Sequence, residues 1–187
     1  MYRKTITNTF LIIALSAVQL SFISSLPGYL NDLNLILVVL VFVLGLGGLN
    51  QALWWAVGAG VLLDIFSFYP FGVFLIGLSL SVMAVNLLLT NFFTNRSLYS
   101  FFGLTIFFTL FYNLILNTFF YFLSPVGAET ALFVFDVKFW TNLFARVAVN
   151  MAAALIVFYI VNFAGNKLKP AFLEKQGIKN QRPKISV

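Results

Sequence analysis

Long uncharged apolar runs alternate along this chain with short polar breaks. Each run approaches the roughly 20 residues that cross the ~30 Å hydrocarbon core of a bilayer as an α-helix. The pattern predicts six helices, over 6–26, 33–48, 51–67, 71–93, 98–123 and 139–164. Pro27, Pro70 and Pro125 all fall in the breaks. There a missing N–H and a fixed φ do no damage. The second and third runs are short and are joined by Gly45-Leu46-Gly47-Gly48-Leu49-Asn50. They read either as a tight helical hairpin or as a pair that does not fully cross; a re-entrant 33–67 would leave five spans. Met1-Tyr2-Arg3-Lys4 ahead of the first run looks like a secretory leader, but no small-residue cleavage pattern follows, so this run is expected to be retained as the first helix.

Composition agrees with an all-α polytopic membrane protein. The 187 residues are 61% hydrophobic and 9% charged. A soluble domain of this size could not hide so much apolar surface. There is no cysteine and no histidine. Disulfides, thiolate nucleophiles, zinc sites built on Cys or His, and His general bases are therefore excluded. The acids are Asp32, Asp64, Glu129, Asp136 and Glu174. This inventory is expected to support no enzyme, no cofactor and no metal site. An intramembrane aspartyl protease needs two membrane carboxylates, and so does a proton or ion relay of the usual kind; the pattern offers Asp64.

The net charge of +6 is not a nucleic-acid signal, because most of it lies in the last stretch and at helix ends. The chain divides into a membrane domain, 1–164, and a basic tail, 165–187. The tail carries six basic residues against Glu174, with Pro170 and Pro183. It is expected to be disordered in water and to lie on anionic headgroups, at about 1 kcal/mol per basic residue near the surface. Docking of a cytoplasmic partner is the alternative. With a cytoplasmic N-terminus, the inner side holds Arg3, Lys4, Arg96 and the tail's six basic residues, against Lys138 outside. That asymmetry predicts both termini in the cytoplasm and 124–138 outside.

Two stripes stand out. Ala52, Ala56, Gly60 and Asp64 recur at i+4 on the third helix. Small residues at this spacing allow close backbone approach. The stripe serves either ordinary tight packing, with Asp64 capping the turn at Ser67–Gly72, or assembly with a partner helix. Asn142, Arg146 and Asn150 form a second stripe on the sixth helix. A membrane arginine needs a partner or must snorkel. Arg146 lies at about the depth of Asp64, so the two are expected to pair; headgroups, Asp136 and Glu129 are the alternatives. Asn113 and Asn117 make a third polar stripe, suited to interhelical amide bonds. Trp54, Trp55 and Trp140 fit interfacial belts, and the 24 phenylalanines fit lipid-facing and packing positions.

The stretch 30–72, about a quarter of the chain, resembles the bacterial rod shape-determining protein MreD family. The matching residues are the Asp32-Leu33-Asn34-Leu35-Ile36-Leu37 start of the second helix, the Gly58-x-Gly60-x-x-x-Asp64-x-x-Ser67 centre, and Gly72. The six-span plan, short loops and basic tail are also similar. The resemblance implies a non-enzymatic subunit of the peptidoglycan elongation machinery in the inner membrane. It implies binding of the bitopic scaffold protein MreC, and through it coupling to the glycosyltransferase and transpeptidase pair and to the actin-like MreB. It also implies a fold similar to the substrate-binding subunits of energy-coupling-factor vitamin transporters. Such a subunit is the alternative function, though it is expected to need a polar outer-facing pocket and longer outer loops than this pattern offers.

Overall fold

A computed structural model describes residues 2–92, 97–123 and 137–164. The expectations placed on Arg96, Pro125, Glu129, Asp136 and the basic tail lie outside the described residues. Those described form six helices with no strand among them: α1 (Tyr2–Ala17), α2 (Leu35–Gly47), α3 (Leu49–Phe66), α4 (Val73–Asn91), α5 (Leu98–Leu123) and α6 (Val137–Ala164).

The first run is helical over Thr5–Ser25, close to the 6–26 that its apolarity predicts, but it is not α-helix throughout. Regular α-helix gives way to a wide π turn over Val18–Phe22 and a tight 3-10 turn over Ile23–Ser25. Three serines fall in or beside these turns. Ser21, Ser24 and Ser25 donate back to the carbonyls of Ala17, Leu20 and Ser21. Such local bonds compete with the helix ladder and bend it. Pro27 then takes the chain out in extended form, and Gly28, at φ +67, turns it into a short 3-10 segment, Gly28–Asp32.

Five helical stretches are long and apolar enough to cross a membrane: Thr5–Ser25, Leu49–Phe66, Val73–Asn91, Leu98–Phe122 and Val137–Phe163. Helix α2 is the exception. Its 13 residues rise only about 20 Å. Yet it is the core of the bundle, touching every other helix. Ile36, Leu37, Val38 and Val41 are completely covered. This accounts for its unbroken apolar sequence: a helix surrounded by helices needs no polar face. It stops at Gly48, whose φ of +83 lets the chain reverse straight into α3. That position suits a residue without a Cβ.

The six helices alternate in direction. At one end of the bundle the Gln19 side chain meets Leu33 and Leu35, and Tyr69 packs on Phe120. At the other end Phe42 of α2 stacks on Phe101 of α5 at 4.6 Å, and Phe101 packs on Phe158 of α6. Phe101 also lies over Gly45, where a Cβ would come within 2.7 Å of its ring. The start of α1 and the end of α6 therefore share that second end. Trp54 and Trp140 are exposed, as a belt residue would be, whereas Trp55 is buried against the core. Trp55 faces inward because α3 is covered by α1, α2 and α4.

Candidate functional site

The motif of α3 builds a junction. Asp64 is 3% exposed, and its carboxylate accepts two backbone N–H bonds from the start of α4: Oδ1 from Phe74 at 2.9 Å and Oδ2 from Leu75 at 3.1 Å. These are the N–H groups that the side chain of an N-cap residue normally satisfies. The N-cap of α4 is Gly72, at φ +104 and with no side chain to offer. Asp64 supplies the missing acceptor from the preceding helix, and its charge suits the positive end of the α4 dipole. Gly60, one turn earlier, makes the reach possible. A Cβ on Gly60 would lie 2.5 Å from the Leu75 Cα. Ser67 closes the other side: its N–H and its hydroxyl both bond the Asp64 carbonyl, at 3.3 and 3.1 Å. Ala56 is fully covered, so the small-residue stripe faces α4 and the core.

The pairing of Asp64 with Arg146 does not form. Arg146 instead donates from Nε to Oδ1 of Asp32 at 3.0 Å and from Nη1 to Oδ1 of Asn113 at 2.7 Å. The physical reason is that the two Asp64 oxygens are already engaged by α4, while the 3-10 segment ahead of α2 carries Asp32 over α6.

A buried amide network continues from this ion pair. Asn113 donates to the Thr109 carbonyl at 2.8 Å. Asn150 donates to the Thr109 hydroxyl at 3.1 Å and accepts from the Asn34 backbone N–H at 2.8 Å. Asn34 caps α2 by accepting from Leu37 N–H at 3.0 Å. Gln19 bridges both sides of that cap, donating to the Leu33 carbonyl and accepting from Leu35 N–H. Of the stripe on α6, Arg146 and Asn150 belong to this network and Asn142 does not, being exposed on the bundle surface. Gln19, Asp32, Asn34, Asn113, Arg146 and Asn150 wall a cavity of about 200 Å³, bounded also by Asn31, Leu33, Phe74, Tyr112 and Leu116. Tyr112 is buried beside this cavity.

The sequence reading did not single out Gln19, Thr109 or Tyr112, and beyond the count of acids it named Asp32 and Asn34 only as part of the 30–72 resemblance. One available signal was local. Asp32-Leu33-Asn34 directly before a long apolar run is a helix-start signature. Nothing local marks Gln19 as a partner of that start. Among the described residues no cluster of His, Cys, Asp or Glu could hold a metal ion. Comparison with protein-family models, with curated proteins and with solved structures finds no match to this chain.

Proposed function

We propose that this chain is a non-enzymatic subunit of the bacterial cell-elongation complex, of the MreD type, in the cytoplasmic membrane. In this reading six helices cross the bilayer, with α2 as a shortened crossing, both termini are cytoplasmic, and the fold is similar to that of energy-coupling-factor substrate-binding subunits. Its task is to hold a bitopic MreC-like scaffold and so to couple the wall-building glycosyltransferase and transpeptidase pair to MreB. The observation that carries the reading is that the resembling residues act together. Gly60, Asp64, Ser67 and Gly72 form one junction, and the Asp32–Asn34 segment forms the start of α2. The same junction also serves ordinary helix packing, so it supports the resemblance without deciding the partner. The alternating helix directions and the uneven placement of basic residues support the orientation.

Because Gly60 and Asp64 are covered by α4, the partner helix is proposed to lie elsewhere. Helices α1 and α6 keep most of their apolar surface open, with Phe10 and Ile13 on one and Ile156 and Ile160 on the other. The test is crosslinking in native membranes followed by affinity purification. Recovery of a bitopic coiled-coil protein, and rounding of rod-shaped cells on depletion, are expected. Normal shape on depletion, together with recovery of ATPases and a coupling membrane subunit, would overturn the proposal.

The same experiment decides the second reading, a vitamin-binding transporter subunit. The polar cavity between Asp32, Tyr112 and Arg146 favours it. Its volume of about 200 Å³ is small against the ~300–1,000 Å³ of typical ligand pockets.

A further inference from the structure

We infer that the cavity between the start of α2 and helices α4, α5 and α6 is a binding site for a small zwitterion. The ligand would present an anionic oxo group to Arg146 and a primary ammonium to Asp32. The inference goes beyond the scaffold role and depends on neither functional reading.

Eight of the eleven residues lining the cavity have polar side chains. In a bundle otherwise packed with Leu, Val and Phe, a polar hollow is costly unless something polar fills it. Volume and charge narrow the choice. At about 200 Å³ the cavity is smaller than the ~300–1,000 Å³ of typical pockets for drug-sized ligands. That suits an amino acid or a lipid headgroup. The wall carries one cation, Arg146, and one anion, Asp32, so a ligand of zero net charge leaves the balance intact.

Both charged groups have capacity left. Arg146 uses Nε on Asp32 and Nη1 on Asn113, and its side chain is still 42% exposed. Asp32 uses Oδ1, and among the described residues Oδ2 has no partner. Rigid groups surround them. Tyr112 and Asn150 are buried, and Asn150 is fixed by bonds to Asn34 and Thr109. A wall ordered before binding loses little freedom when the ligand enters. Asn31, exposed at the edge, is a further amide open to the ligand.

The required chemistry, an oxo anion beside an ammonium, occurs both in free amino acids and in phosphatidylethanolamine headgroups. The experiment separates these sources. The purified full chain in detergent is titrated with dihexanoyl phosphatidylethanolamine and with glycine, serine and glutamine. Dihexanoyl phosphatidylglycerol and phosphatidylcholine serve as controls, and binding is read by calorimetry and native mass spectrometry. Saturable binding of one primary-ammonium zwitterion is expected, at least tenfold tighter than either control. Asn31→Leu should weaken it about fivefold with an unchanged melting temperature, because Asn31 is exposed. Asp32→Asn should weaken it further. Saturation by a lipid or by an amino acid names the source. No saturable binding, equal binding of phosphatidylglycerol or phosphatidylcholine, or binding unchanged in Asn31→Leu would overturn the assignment.

Discussion

Arg146 on α6 is tied to Asp32, on the turn before α2, by an N–H···O bond of 3.0 Å across 114 positions of sequence. The bond joins the last helix to the core helix at one end of the bundle. Removing one member leaves the other's charge facing the cavity without its partner. A fully buried pair broken this way costs about 3–5 kcal/mol. With the Arg146 side chain 42% exposed, water offsets much of that, and about 1–2 kcal/mol is expected. Asp32→Asn and Arg146→Gln should each lower stability by that amount in a detergent unfolding assay, and the double variant should recover part of the loss. The parallel cycle with Asp64→Asn should be close to additive, because Asp64 bonds α4 and not Arg146. Strong coupling of Arg146 to Asp64 with none to Asp32 would contradict the geometry.

Asp64 is predicted to act on the start of α4. Asp64→Ala strands the N–H groups of Phe74 and Leu75 away from water. Loss of a cap with charge-assisted bonds costs about 1–3 kcal/mol. Asp64→Asn keeps one acceptor and should lose roughly half as much. Placing a capping side chain at the local position, Gly72→Ser, should not rescue Asp64→Ala, because a φ of +104 strains any residue with a Cβ. Amide exchange at Phe74 and Leu75 is the direct readout. Protection there that is unchanged in Asp64→Ala would remove the capping role.

How far the sequence reached depended on whether a feature was local. The helices of 18 residues or more were legible because hydropathy over such a window leaves few alternatives. The change to π and 3-10 turns over Val18–Ser25 was not, because the apolarity of the run predicts a helix without telling one kind of helical turn from another. The place of α2 was half legible: its shortness was plain, and its position at the centre of the bundle was not, since a lipid-facing helix and a core helix are equally apolar here. Spacing put Gly60 and Asp64 on one face and offered Asp64 as a cap. It could not tell which helix would cover that face. Arg146 was read as needing a partner or snorkelling, with Asp64 expected and headgroups, Asp136 and Glu129 as alternatives. That Asp32 and Asn113 hold it depends on how a five-residue 3-10 turn lies across α6, which no periodicity encodes.

A topology prediction follows from the alternation of the six helices. The start of α1 and the end of α6 lie at one end of the bundle. Reporters fused to the two chain termini should therefore report the same side of the membrane, and the basic residues predict that it is the cytoplasm. A reporter inserted within 124–136 should give the opposite result. Termini on opposite sides would mean that α2 does not count as a crossing.

The most discriminating prediction compares two glycines on α3. A Cβ at Gly58 would meet the side-chain tips of Ile12 at 3.2 and 3.3 Å, which a small rotamer change can relieve. A Cβ at Gly60 would meet the backbone of Leu75 at 2.5 Å, which nothing short of moving α4 relieves. Overpacking that moves a backbone costs about 1–3 kcal/mol. Gly58→Ala should therefore be nearly neutral and Gly60→Ala clearly destabilising, although both add one methyl to the same helix. The shift forced by Gly60→Ala also pulls Phe74 and Leu75 off the Asp64 carboxylate. Gly60→Ala and Asp64→Ala together should then cost less than the sum of their separate effects, since each removes the same capped start of α4. Unfolding of the four proteins in one detergent measures the cycle. Equal effects at Gly58 and Gly60, or strict additivity of Gly60 with Asp64, would show that α3 and α4 do not meet through this junction.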